Sequence, residues 1–451
     1  MAKIIILGAG LTGLSTAYHL EKNNFYDYAI FEKEPHVGGL CRSVHQDGFI
    51  FDFTGHLIHI NDSYFRSFIE NTIKVEHLQK INRRAFAYLY DRYVPYPLQN
   101  NLSALPKEVI VECIEGFIQK KTNNHTKTYY QWILKHFGPG LGKHFFFPYQ
   151  KKILDYDNRK ISSKWTSRFF PMASLNQIIS GAITKNEETQ IGYNATFSYP
   201  KKGGIFSWIK TIEKQIKTPV QKNFCAKQID MKNKIILFEN GHFEKFDTLI
   251  NTIPLNIFLK KLKEKSSTFL QTASKKLLCN SIVNFNLGVL NSDISDKHWI
   301  YFSEKKFPFY RIGFYHNFSN NVTPKGCGSI YGEISHINQS KKFLSQQLAS
   351  SLNQTKKLFG ISDCDILTEK IINIPHAYVI YDFWREKHLP HIHKKLKKNS
   401  IYSIGRYGEW KYSSMQEAIL DGKLIAETLT LNTNKIKQNS KQNRKKRNFS
   451  I

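Results

Sequence analysis

Apolar residues recur along this chain in two periods, and the elements change where the period changes. Ile4-Ile5-Ile6-Leu7 is a short β-branched run that predicts a buried strand. Gly8-Ala9-Gly10-Leu11-Thr12-Gly13 follows at once, and Leu14, Ala17, Tyr18 and Leu20 then recur at helical spacing as far as Asn23. Tyr28-Ala29-Ile30-Phe31 predicts a second strand, ending in Glu32. Helical character returns at 64–69, a strand is predicted at 85–90 with a turn at Asp91-Arg92, and 108–120 reads as a helix burying Val109, Val111, Ile114 and Phe117. Residues 129–190 are expected to be mostly helical, and 206–216 is an amphipathic helix. Residues 220–241 suggest a hairpin whose second strand is 234–238, and 246–254 a strand of parallel type. The stretch 278–370 predicts a second, mainly antiparallel sheet with helices. A strand then runs into Gly405-Arg406, and a helix begins near Met415. From Asn432 to Ile451 no period is visible, and the polar, basic composition there suggests an unstructured tail.

The first sixty residues carry the most specific chemistry. G-x-G-x-x-G between a strand and a helix supplies a tight turn, a backbone that can lie against a pyrophosphate, and a helix N-terminus aimed at the phosphates. Glu32 stands about twenty residues further on, where a carboxylate can accept hydrogen bonds from a ribose. Two further segments carry a resemblance. Pro35-His36-Val37-Gly38-Gly39-Leu40-Cys41-Arg42-Ser43 resembles the second glycine pair of large FAD enzymes of the amine oxidase and UDP-galactopyranose mutase type. Phe53-Thr54-Gly55-His56 resembles the segment that passes beside the isoalloxazine ring in those enzymes. FAD rather than NAD is therefore the expected cofactor.

The resemblance narrows at Val94-Pro95-Tyr96-Pro97-Leu98-Gln99-Asn100-Asn101 followed by Leu105-Pro106-Lys107-Glu108. This is the pattern of UDP-galactopyranose mutases, especially their longer, eukaryote-like branch, and the likeness extends over nearly the whole chain before the basic tail. Two prolines flanking Tyr96 disfavour helix and predict a stiff loop. The resemblance puts Tyr96 and Gln99 on the uridine side, with a packed surface aromatic as the weaker alternative for Tyr96. Trp132 matches a substrate-side tryptophan or a core residue, and Asn194 an active-site asparagine or a turn former. Trp299-Ile300-Tyr301-Phe302 and Phe307-Pro308-Phe309-Tyr310-Arg311-Ile312 fit the mutase pattern, with Arg311 as a diphosphate-binding arginine and Tyr301 as its support. A cation in so apolar a run needs an anionic partner, either a ligand or a salt bridge. Tyr378 corresponds to a diphosphate-contacting tyrosine. Gly405-Arg406-Tyr407-Gly408-Glu409-Trp410-Lys411-Tyr412 and the helix from Met415 and Gln416 resemble the closing FAD motif, with Arg406 near the flavin and Tyr412 near the diphosphate. Phe147 is the departure. The mutases carry an arginine just before this Pro-Tyr, and a phenyl ring cannot make a charge-assisted contact worth about 1.5–3 kcal/mol. Lys143, Lys151 or Lys152 could stand in, as a point charge and not a fork.

What the resemblance implies is an α/β chain with a discontinuous Rossmann-like FAD-binding domain of glutathione-reductase type. Its pieces are 1–62, 191–270 and 375–431. A helical insertion fills 105–190, a substrate sheet is drawn from 63–104 and 271–374, and the tail is 432–451. The cofactor contacts would be Gly8, Gly10, Leu11, Thr12, Gly13, Glu32, Lys33, Gly38, Gly39, Leu40, Gly55, Ala226, Gly405, Arg406, Met415 and Gln416. The reaction would be interconversion of the pyranose and furanose forms of a UDP-sugar, with N5 of the reduced flavin attacking the anomeric carbon and NAD(P)H as a candidate reductant. Arg311, Tyr301, Tyr378 and Tyr412 would hold the departing diphosphate, and His56 would tune the flavin. The rival is a flavin oxidoreductase of amine oxidase or protoporphyrinogen oxidase type. A flavin-binding protein without turnover is the non-enzyme alternative.

Composition adds three points. The net charge of +29 fits a chain-wide lysine bias, a basic tail that touches anionic surfaces, or cations around a diphosphate, and no nucleic-acid module is visible. The six cysteines lack C-x-x-C spacing, which favours reduced thiols and no metal site. The chain starts on the nucleotide-binding strand and has no apolar run near the ~18 residues of a membrane span, so a cytoplasmic location is expected.

Overall fold

In the computed structural model of the chain, residues 3–120, 126–166, 170–185, 192, 195–263 and 268–447 are described. Ile4–Leu7 is buried throughout, as a strand covered on both faces must be. It lies inside a four-stranded parallel sheet ordered Ile401–Ser403, Thr248–Asn251, Ile4–Leu7, Tyr28–Phe31. The helix Leu11–Lys22 packs on this sheet, and the helix Met415–Arg447 packs against that helix. Their closest approach is at Gly422, where an added Cβ would stand 2.6 Å from Ser15 Oγ, which itself donates to the Ile419 carbonyl at 2.7 Å. A three-stranded antiparallel sheet, Phe243–Lys245, Ile235–Phe238 and Ala226–Asp230, shares a second apolar core with the parallel sheet.

The second large sheet has seven strands in the order Ile366–Ile374, Ser281–Val289, Gly328–His336, Arg311–Gly313, Trp299–Phe302, Ala85–Leu89, Arg92–Pro95. All pairings are antiparallel except Trp299–Phe302 with Ala85–Leu89. Between its two parts the chain inserts helices, among them Lys107–Ile118, Tyr129–His136, Phe147–Leu154 and Leu175–Ile183, with their own core. The architecture is the Rossmann-type α/β fold that the resemblance implied.

Three local expectations change. The predicted hairpin gains a third strand, Phe243–Lys245. Arg92–Pro95 is a strand and not a loop; Pro95 is tolerated because the strand is at the sheet edge, where a missing N–H breaks no ladder. The last helix runs on to Arg447 where an unstructured tail was expected. After Gly422 no glycine or proline interrupts it, and Lys, Gln and Arg are good helix formers.

Candidate functional site

One side of the site is made of backbone. Gly8 (φ +96°), Gly38 (φ +103°) and Gly39 (φ +59°) occupy conformations that favour glycine. A Cβ on Gly13 would fall 1.9 Å from the Gly8 carbonyl oxygen, so helix and turn meet with no space for a side chain. Gly10 pairs with Gly38 in a β-bridge, and Gly38 N donates to the Ala9 carbonyl at 2.8 Å, which joins the two glycine motifs into one floor. Glu32 is buried at the end of its strand. Its carboxylate accepts from Ala9 N at 2.8 Å and Glu34 N at 3.0 Å and keeps lone pairs for a hydroxyl. Gly405 (φ +78°) closes against Thr12, whose Oγ1 a Cβ would approach to 2.5 Å. Leu11 and Thr12 are buried, Leu40 is half-buried, and Met415 opens the last helix. Gln416 has another occupation, because its Oε1 accepts from Asn61 N at 2.8 Å and Asp62 N at 3.1 Å. Lys33 is exposed and pairs with Glu34, and Ala226 is buried opposite Phe238.

The other side is made of side chains. Residues directly opposite one another in a sheet point to the same face. One such row is Asn284, Glu333, Arg311, Tyr301 and Ala87. Within it Arg311 donates Nε to Glu333 Oε1 at 2.9 Å, and Nη2 to Oε1 at 2.6 Å and Oε2 at 2.9 Å. Tyr310 also donates to Glu333, which is fully buried. Burial opposes the charge on Arg311, but Glu333 outweighs it and holds the guanidinium ionised. Nη1 takes no part in this pair. Tyr301 meets Tyr96 at 4.9 Å and Tyr149 at 5.3 Å between ring centres, both edge to face. Tyr331 lies flat over Gly313, its hydroxyl reaches Gly55, and its ring stacks on Tyr315 at 4.5 Å.

A second wall faces this sheet. The rings of Tyr378 and Tyr412 stack at 5.8 Å, and Trp165 meets Tyr412 at 5.3 Å and Tyr378 at 6.3 Å. Arg406 sits over Tyr412 at 4.9 Å and Tyr378 at 5.6 Å, and donates to the carbonyls of Ser413 at 2.7 Å and Ala377 at 3.0 Å. No described carboxylate lies within ion-pair distance of it. Burial, with smaller contributions from the Arg406 and Arg311 charges, holds the His56 imidazole near a pKa of about 4, against the weaker pull of the Thr54 carbonyl. His56 is therefore neutral at physiological pH and stands in the field of both arginines. Tyr96, Tyr149, Tyr301, Arg311, Tyr378, Arg406 and Tyr412 are all partly exposed, whereas Tyr310, Tyr331 and Glu333 behind them are not. The result is an open aromatic cleft with a surplus of positive charge.

The candidate residues divide accordingly. His56, Tyr96, Tyr301, Arg311, Tyr378, Arg406 and Tyr412 converge on the two walls. Gln99 is buried, with Nε2 donating to the Pro171 carbonyl at 2.5 Å and Oε1 without a partner among the described residues. Trp132 packs on His136, Phe137 and Phe170 inside the helical insertion, and the tryptophan that meets Tyr412 is Trp165. Asn194 lies outside the described residues. Phe147 stacks on Tyr130 at 4.5 Å, and Tyr149 of the same helix reaches the cleft instead. The three lysines suggested as substitutes are committed elsewhere. Lys143 pairs with Glu112, Lys151 with Asp155, and Lys152 donates to the carbonyls of Phe302 and Glu304. Sequence reasoning missed Trp165, Tyr149, Tyr331 and Glu333. It also missed Arg83, whose guanidinium lies 5.3 Å from the centre of the Tyr96 ring.

A family model described as flavin containing amine oxidoreductase matches residues 11–309. A structure of reduced UDP-galactopyranose mutase superposes with a TM-score of 0.89 over 95% of this chain and 95% of that one, at 24% identity. Wild-type putrescine oxidase bound to putrescine gives a TM-score of 0.61 over 95% and 98%, at 11% identity. Likenesses at such identities establish the fold and not the activity. The 4,4'-diapophytoene desaturase of Staphylococcus aureus is 34% identical, but over 91 residues; the match spans 20% of this chain and 18% of that protein. No helix among the described residues is long and apolar enough to cross a membrane.

Proposed function

The chain belongs to the flavin-containing amine oxidoreductase family, and from that premise we propose that it is a UDP-galactopyranose mutase-like isomerase of a nucleotide sugar. The observation that carries the proposal is the charge balance of the cleft. Two guanidiniums, Arg311 and Arg406, stand among tyrosines, and the one buried carboxylate paired there, Glu333, belongs to Arg311. A cleft that holds a half-buried cation with no carboxylate paired to it favours an anionic ligand, and a diphosphate flanked by two rings matches the tyrosine and tryptophan surfaces.

The glycine floor fits FAD, since Gly8, Gly38 and Gly39 hold conformations that favour glycine and a Cβ on Gly10 would meet nothing nearer than Gly39 Cα at 3.9 Å, which leaves backbone open to a pyrophosphate. Gly8, Gly10, Gly13, Gly38, Gly39 and Glu32 would hold it. When bound and reduced, FAD supplies an electron-rich ring nitrogen able to take the anomeric carbon of a sugar as its diphosphate leaves. The chain's own residues do the rest. Arg406 and the free edge of Arg311 bind the diphosphate and stabilise the charge it gains on leaving. Tyr301, Tyr378 and Tyr412 donate hydroxyls to the same oxygens. Tyr96 holds the uridine side, and Gln99, buried against the Pro171 carbonyl, is not part of that surface. His56 stays neutral beside the flavin segment, so it adds no cation there.

The test is to supply FAD-loaded protein with UDP-galactopyranose, with and without dithionite, and to follow the furanose by chromatography. Turnover in the reduced state alone is the expected result, and none in either state overturns the proposal. The family description favours a second reading, an amine or porphyrinogen oxidase, which predicts oxygen uptake with such a substrate and no furanose.

A further inference from the structure

The second wall of the cleft has two halves from distant parts of the chain. Trp165 ends a segment of the helical insertion, and Tyr412 follows the last strand of the parallel sheet. A short stretch, residues 381–386, joins them. On one side the Tyr381 carbonyl accepts from Ser162 N at 2.7 Å, and Ile161 bridges to Asp382. Ser162 Oγ donates to Glu386 at 2.5 Å, and Lys164 pairs with the same carboxylate at 2.6 Å. The Trp165 ring then packs on Tyr381, 5.5 Å between centres. On the other side the Tyr381 hydroxyl accepts from Tyr412 N at 2.8 Å.

Arg385 completes the junction. It is buried, with its guanidinium carbon 3.8 Å from the centre of the Tyr381 ring. Nε and Nη2 both donate to the Trp410 carbonyl, at 2.8 and 2.5 Å. Trp410 has φ +57°, a conformation that bulky residues adopt only where their surroundings impose it. No described carboxylate lies within ion-pair distance of Arg385. A buried guanidinium satisfied by a carbonyl and a ring, and not by an acid, is a costly arrangement, and here it fixes one turn of backbone immediately before Tyr412.

We infer that Tyr381 and Arg385 are positioning residues that lock Tyr412 and Trp165 into a single aromatic surface and so govern affinity for the nucleotide sugar. The inference rests on the reading above, that this surface receives such a ligand. Neither residue belongs to the glycine floor, so FAD binding is the control that separates an effect on the cleft from one on the floor.

The discriminating variant is Tyr381→Phe, which keeps the ring, the stacked guanidinium and the backbone bonds and removes the acceptor for Tyr412 N. In reduced, FAD-loaded protein, KM for UDP-galactopyranose should rise about tenfold, the scale of one lost hydrogen bond. The change in kcat should be smaller, with FAD stoichiometry and flavin spectrum as in the wild type. Arg385→Lys, which can still donate to the Trp410 carbonyl, should fall between wild type and Arg385→Met. Hydrogen exchange at the Tyr412 amide should be protected in the wild type and fast in Tyr381→Phe. Equal exchange in both, or a loss of activity that merely follows lost FAD, overturns the positioning role. Wild-type protein that turns over no nucleotide sugar, while the exchange difference persists, overturns the substrate reading and leaves the junction standing.

Discussion

The glycine floor and the aromatic cleft are built by opposite rules. The floor is backbone against backbone, with positions where a single methyl group has nowhere to go, such as Gly13 beneath the Gly8 carbonyl. The cleft is side chain against side chain, from strands, helices and several loops, and its members sit partly exposed. A backbone site fixes one ligand, because every peptide unit in it is constrained by its neighbours. A side-chain site can be relined one residue at a time while the frame holds. That contrast explains how proteins of this fold can include a mutase and a putrescine oxidase.

The sharpest way to break the contrast is at Gly13. With a Cβ 1.9 Å from a carbonyl oxygen, Gly13→Ala must open the turn, at about 1–3 kcal/mol or more. The purified variant should be colourless, as read by its visible absorbance, whereas Tyr412→Phe should stay yellow. A yellow, FAD-saturated Gly13→Ala would show that the floor is as forgiving as the cleft.

The Arg311–Glu333 pair is where the cleft most resembles the floor. Glu333→Gln leaves the guanidinium without its carboxylate, and removing one partner of a buried pair costs about 3–5 kcal/mol. Denaturant unfolding should register that loss. The double variant Arg311→Met with Glu333→Met should recover most of the stability, because neither charge is then stranded. UDP titration should still find affinity reduced about tenfold, the scale of one charge-assisted contact. Unchanged UDP affinity in the double variant removes Arg311 from the ligand site.

The smallest effect expected is on pH dependence. Burial is the main reason that His19, His56, His298 and His376 are each pushed down to about 4. A base with a depressed folded pKa adds stability above its ordinary value near 6.5, and that stability is lost as pH falls through 4. Asp52 and Asp421, raised to about 6 mainly by burial, act in the opposite sense, adding stability below their ordinary 3.8 that is lost as pH rises through 6. The four bases outweigh the two acids, so Tm should fall between pH 7 and pH 5. His56 is the cleft's member of the four, and His56→Asn should remove a minor share of that fall. If it removed most of it, the pH sensitivity would belong to the cleft and not to the frame.

The same contrast governs what could be read from sequence. The glycine turns and Glu32 were legible because their constraints fall on consecutive residues. Trp165 was not, since Ser163-Lys164-Trp165-Thr166 has no period and its role depends on Tyr381, which is far away in the chain. Glu333 left a signal that could have been used. A lone acid in the apolar run Ser329-Ile330-Tyr331-Gly332-Glu333-Ile334 mirrors the lone base at Arg311, and two such strands with opposite charges are candidates to pair. The departure at Phe147 weighed heavily because it was judged by its place beside Pro148-Tyr149. In the folded chain that ring faces Tyr130, and the helix sends Tyr149 into the cleft. The basic end was misjudged because absence of an apolar period was taken as absence of a helix, although nothing in its composition breaks one.

The order of strands in the parallel sheet has a consequence for biosynthesis. Ile4–Leu7 and Tyr28–Phe31 are made well before Thr248–Asn251, the strand that pairs with the other edge of Ile4–Leu7. At roughly 5–20 residues per second on the ribosome, the early strands wait some tens of seconds for the late one. During that interval an isoleucine-rich edge has no partner, so the nascent chain should depend on chaperones. A chain truncated before Thr248 should aggregate and not give a shorter folded protein.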